Sequence, residues 1–126
     1  MIFLVNNLNK FATSFVKNQL SNDIEYIHQI LQYSQNSNVA NKNSLNISAG
    51  VEENIKSLAK KNSIRITVID FSGVVLFDSI VDKTTMENHL YRPEIIEARN
   101  NSSGVSIRSS QTVNVSSIYV AKFYGK

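Results

Sequence analysis

From Phe3 to Tyr33 the apolar positions fall at helical steps. Leu4, Leu8, Phe11 and Phe15 come first, and after a shift to Val16 the series continues through Leu20, Ile24, Ile27 and Leu31. Taken as one element over residues 1–35, this is a long N-terminal helix of ~30 residues and ~45 Å, more than the width of a small domain. No later helix of comparable length is there to cover its first half. Leu4, Leu8, Phe11 and Phe15 are therefore expected to form a seam with a second copy of the chain, making a homodimer. Deleting residues 1 to 15 is then expected to leave a folded monomer. The competing reading bends the helix over its own sheet.

The polar run Ser34 to Asn46 reads as a loop, and the remaining elements fall between residues 48 and 126. A second helix is expected near Val51 to Lys61, with Val51, Ile55, Leu58 and Ala59 on one face and Glu52, Glu53, Lys56 and Lys60 on the other. The run "IRITVID" alternates as a strand does, "DFSG" turns the chain with Gly73 free to take positive φ, and "VVLFDS" completes a hairpin. "VSIRSS" and "SIYVAKFY" supply two further strands. Between the hairpins Pro93 is placed to open a short helix, Glu94 to Asn100. The order predicts one α+β domain, an antiparallel sheet with its helices packed on one face.

A chain of 126 residues fits a single core. Its net charge of +3 comes from scattered Lys and Arg, so the basic balance marks no nucleic-acid surface. The absence of cysteine excludes disulfides, thiolate metal sites and cysteine nucleophiles. "MIFLV" is a dense apolar start but far short of the ~20 residues of a membrane span. It reads either as the start of a cytosolic protein or as the tail of a membrane helix lying upstream.

The most specific residues are "MENHLYRPE", flanked by "IRITVIDFSGVVLFDS", "GVSIRSS" and "YVA". Together, over about Ile64 to Ala121, they resemble the extracytoplasmic sensor domain of PhoR-type membrane sensor histidine kinases, a PAS-like or single Cache-like fold. The resemblance implies a five-stranded antiparallel sheet, a long helix leading from a first membrane span, and a kinase attached beyond a second. It implies signal sensing outside the cell membrane in a two-component system, relayed through an N-terminal helix dimer. The sensor of a chemoreceptor or of a cyclic-dinucleotide enzyme shares the fold, and a cytosolic PAS- or profilin-like protein-docking module is the alternative without a membrane. Family members continue past "YVA" into a strand lying between the first strand and the Tyr-Val-Ala strand. Here "KFYGK" follows, which leaves that central place to a strand from further along the chain or to a second copy.

Whether "TTMENHLYRPEIIEA" is a reaction centre depends on its surroundings. His89 lies close in sequence to Glu87 and Arg92, as general acid–base chemistry would use. No GxSxG, P-loop or HExxH accompanies them, and His28, the other histidine, sits on the first helix without a neighbouring His-Glu pair. The chain itself is expected to have no enzymatic activity, cofactor or metal. A packing role is favoured, with Arg92 capping carbonyls or pairing with Glu87 or Asp78. The candidate contacts for a small molecule or an extracytoplasmic protein partner are Glu87, His89, Arg92, Arg108 and Tyr119, with Arg108 and Ser110 on one side of their strand and Ser109 on the other.

Overall fold

The computed structural model describes residues 1–8, 13–37, 47–110 and 115–125. Its centre is a strand where a helix is expected. Residues Ile2–Leu8 form β1, which pairs antiparallel with two neighbours at once, β2 (Arg65–Ile69) and β5 (Val115–Lys122). Leu4 lies opposite Ile66 on one side and Val120 on the other. With β3 (Val75–Asp78) and β4 (Ser103–Ser110) at the edges, the sheet order is β3-β2-β1-β5-β4 and all pairings are antiparallel. The place between β2 and β5 is thus taken by the chain's own N-terminal residues.

Why "IFLV" is a strand follows from where it lies. Isoleucine, phenylalanine and valine fit a pleated surface, and a middle strand buried on both faces requires a continuous apolar run rather than alternation. Ile2, Phe3 and Leu4 are all at most 3% exposed. Ile2 and Leu4 point to one face and Phe3 to the other, as strand geometry requires.

The two faces carry different cover. On the first lie α1 (Thr13–Ser37) and α2 (Ala49–Asn62). Leu20, Ile24, Ile27 and Leu31 of α1, at steps of four, three and four, meet Ile55 and Ala59 of α2 over Leu4, Ile66, Val68, Ile118 and Val120. Ser48 caps the start of α2 by accepting from the Val51 amide, and Ser63 ends it in the left-handed region at φ 54°. On the opposite face lies α3 (Pro93–Asn101), whose Ile95 and Ala98 pack with Phe3, Ile69, Val75 and Ala121. The helices therefore occupy both faces, correcting the one-sided arrangement expected from the element order. Pro93 cannot continue a strand but suits the first turn of a helix, and the helix it opens has only this second face left to cover.

The expected seam is corrected with the expected helix. Leu4 is fully buried in the sheet and Leu8 closes β1 opposite Ser116, while Phe11 lies outside the described residues. Phe15 alone is on α1, and it is 74% exposed. Removing residues 1 to 15 would strip both β2 and β5 of their hydrogen-bonded neighbour, so that truncation is now expected to unfold the domain.

Two substitutions separate the strand from the helix. Leu4→Ala should lower stability by about 2–5 kcal/mol, the range for an emptied core position. Phe15→Ala should stay within about 0.5 kcal/mol. Urea unfolding followed by circular dichroism reads both, and equal losses at the two positions would contradict the placement of β1.

Candidate functional site

The second face of the sheet holds the residues that sequence reasoning singled out, and it is built around a tight turn. Asp70 accepts from the Ser72 and Val74 amides at 2.8 and 3.0 Å, bending the chain between β2 and β3. Gly73 then takes φ 86°, and a Cβ there would collide with Asn88 Oδ1 and come within 2.6 Å of the Leu90 nitrogen. The connection from β3 to α3 uses this space. Asn88 Nδ2 donates to the Ser72 carbonyl at 2.9 Å, its Oδ1 accepts from the Leu90 amide at 2.8 Å, and the His89 amide donates to the Gly73 carbonyl at 2.9 Å. "MENHLYRPE" is a strap laid across the β2–β3 turn.

His89 is carried inward by this strap and is 2% exposed. Its Nδ1–H donates to the Glu87 carbonyl at 2.8 Å, which places the proton of the neutral ring on Nδ1. Burial pushes the imidazole below its ordinary pKa; the Glu87 carbonyl and Asp78 oppose this, and the positive charges of Arg92 and Arg65 add to it. Asp78 is itself fully engaged. It accepts from Thr67 Oγ1 at 2.7 Å, from the Ile80 and Val81 amides at 2.9 and 2.8 Å, and from Arg65 Nε at 3.0 Å. Burial alone would raise its pKa, but these donors together hold the carboxylate below the usual range.

At the other end of the face, Gly104 lets β4 close against α3, because a Cβ there would collide with the Glu94 carbonyl oxygen and lie 2.8 Å from the Ala98 nitrogen. This approach seats Glu94 above β4, fully buried, with Oε2 accepting from Arg108 Nη2 at 2.5 Å. The Arg108 guanidinium lies 3.8 Å from the centroid of the Tyr119 ring. Phe3 joins the two ends, with its ring centroid 6.1 Å from Tyr119 and 5.6 Å from His89. Glu94 Oε1 is buried without a hydrogen-bond partner.

No family model, curated protein or solved structure matches the chain.

Of the five candidate contacts, the structure brings His89, Arg108 and Tyr119 to one face. The Glu87 side chain is exposed, and only its carbonyl contributes. Arg92 takes part in none of the side-chain hydrogen bonds or ion pairs among the described residues: of its two expected partners, Asp78 is held by Arg65 and the Glu87 side chain is exposed. Its contribution is the backbone entry to α3, extended before Pro93. Two residues that the reading missed are Asn88 and Glu94. Glu94 had a signal, since it stands four residues before Ala98 on the inward stripe of the helix.

The Glu94–Arg108 pair is electrically balanced, so an entering anion must displace Glu94 from Arg108. A neutral donor could instead bind the open Glu94 oxygen. Among the described residues no three His, Asp or Glu side chains converge as metal ligands. His28 lies on the other face, stacked on Tyr124 at 3.6 Å and 6°.

Arg108→Ala leaves Glu94 buried without its counter-ion. It should cost about 2–3 kcal/mol, below the range for a wholly buried pair because Arg108 is one-third exposed. Arg92→Ala should cost within about 0.5 kcal/mol. Thermal unfolding of the two variants side by side checks the order, and a greater loss at Arg92 would overturn this assignment.

A pH dependence follows from the histidines. His89 and His28 both bind protons less readily in the folded chain, burial being the main cause at each. In the unfolded chain they titrate near ~6.5, so the unfolded state gains protons first as pH falls. Their stabilisation is full above that value, declines below it, and levels once the folded rings titrate. Urea midpoints measured from neutral pH down to the onset of carboxylate titration should fall. His89→Gln should flatten part of that slope, and an unchanged slope would contradict the buried neutral ring.

Proposed function

We propose that the chain is the extracytoplasmic signal-sensing domain, PAS-like or single Cache-like, of a two-component membrane sensor histidine kinase. The observation that supports this most is that one sheet separates two features of different kinds. On one face the "MENHLYRPE" strap and α3 enclose a charged cluster, Glu94 and Arg108 over Tyr119. On the other, α1 turns an aromatic stripe outward, Phe15, Tyr26 and Tyr33 being 74%, 55% and 79% exposed.

These aromatics fall on one heptad track, Phe15, Gln19, Asn22, Tyr26, Gln29 and Tyr33, at alternating steps of four and three. In this reading the track is the dimer seam, replacing the one expected around Leu4 and Leu8. A signal molecule entering beside Arg108 would compete with Glu94 and shift β5 against β1. Because α1 packs on these strands from behind, the shift would bias the packing of the two α1 helices in a dimer. The output domain and the membrane spans belong to the parent protein in this proposal. No helix among the described residues is long and apolar enough to cross a membrane.

Sedimentation over a wide concentration range tests the relay surface. The chain should associate weakly, and Tyr26→Glu should abolish association without lowering the melting temperature. Thermal shifts with a panel of small organic acids and phosphate test the sensing face, with a rise expected for an acid that captures Arg108 and no rise in Arg108→Ala. A strictly monomeric chain that responds to none of these would overturn the proposal.

A further inference from the structure

One flank of α1 near its start forms a cleft with the end of α2, bordering the proposed seam at Phe15 and Gln19. Its volume is about 90 Å³. The walls are apolar, made by Phe15, Val16, Leu20 and Ile64, and the polar side is Gln19, Asp23 and Asn62. None of these side chains is basic.

Asp23 is the unusual member. It is 8% exposed, Oδ1 accepts from Gln19 Nε2 at 3.3 Å, and Oδ2 is buried with no hydrogen-bond partner. Burial pushes its carboxyl above the ordinary range, against the opposing effect of the Gln19 and Asn62 amides. A carboxylate in that position keeps one oxygen unpartnered and has no counter-charge among the lining residues. The helix ends add to this: α2 finishes at Asn62, so the negative end of its dipole lies at the polar side of the cleft. The positive end of α1, which begins at Thr13, lies toward Phe15 and the apolar side.

We propose that this cleft binds a small primary ammonium compound with a short aliphatic tail, with Asp23 as its counter-ion. The ammonium group has donors for Oδ2 and for the side-chain oxygens of Gln19 and Asn62, and the tail lies along Val16, Leu20 and Ile64. The volume suits two or three carbons beside the nitrogen. This site goes beyond the sensing proposal: the Arg108 cluster lies on the opposite face of the sheet, and the cleft shares only Phe15 and Gln19 with the proposed seam, while its counter-ion Asp23 lies off that track.

Two-dimensional ¹H–¹⁵N NMR with n-propylammonium as the probe tests it, with 1-propanol as the neutral analogue of equal length. Saturating shifts are expected at residues 15–23 and 62–64. Binding should weaken about tenfold or more for 1-propanol, and by the same order for propylammonium in Asp23→Asn, the loss of a charge-assisted hydrogen bond. The comparison of the two probes on the unaltered chain decides the matter even if Asp23→Asn does not fold. Equal binding of 1-propanol, undiminished binding in a folded Asp23→Asn, shifts clustered elsewhere, or no saturation at millimolar probe would each overturn the proposal.

Discussion

The double pairing of β1 is the constraint on which the rest of the structure depends. Where a strand is bonded on both sides and buried on both faces it needs a continuous apolar run, and Ile2, Phe3 and Leu4 supply one in the first half of β1. Without it, β2 and β5 would each present a row of open backbone groups in the middle of the domain. With it, α1 and α2 have a continuous floor on one face and α3 has one on the other. The aromatic ring of Phe3 also sets the spacing of the candidate site, since it lies between His89 and Tyr119.

The strap shows how a sequence rich in chemical groups can fold for positional reasons. Asn88 bonds the turn on one side and its own chain on the other, and Gly73 leaves the room that it needs. His89 is buried neutral, Asp78 is saturated with donors, and Arg92 marks the start of a helix. What remains chemically open on that face is Glu94 Oε1, beside a guanidinium already shared with an aromatic ring.

Much of this was legible in the residues, and the part that was not has a physical reason. The hairpins, α2, the Pro93 helix and the inward series of α1 from Leu20 to Leu31 are local patterns, and local rules place them. Leu4, Leu8, Phe11 and Phe15 fit a helical period by accident, and a short apolar run cannot by itself distinguish strand from helix. The slot between β2 and β5 decides, and a slot is a tertiary fact. Glu94 was missed for a related reason. An acid in the first turn of a helix reads as a favourable dipole contact, and only the approach of β4 at Gly104 turns it into a buried ion pair.

Native-state hydrogen exchange tests the central place of β1 most directly. The amides of residues 2–5 should exchange through global unfolding, with the same opening free energy as Ile66 in β2 and Val120 in β5. Exchange in residues 2–5 that is orders of magnitude faster, while Ile66 and Val120 stay protected, would contradict the account.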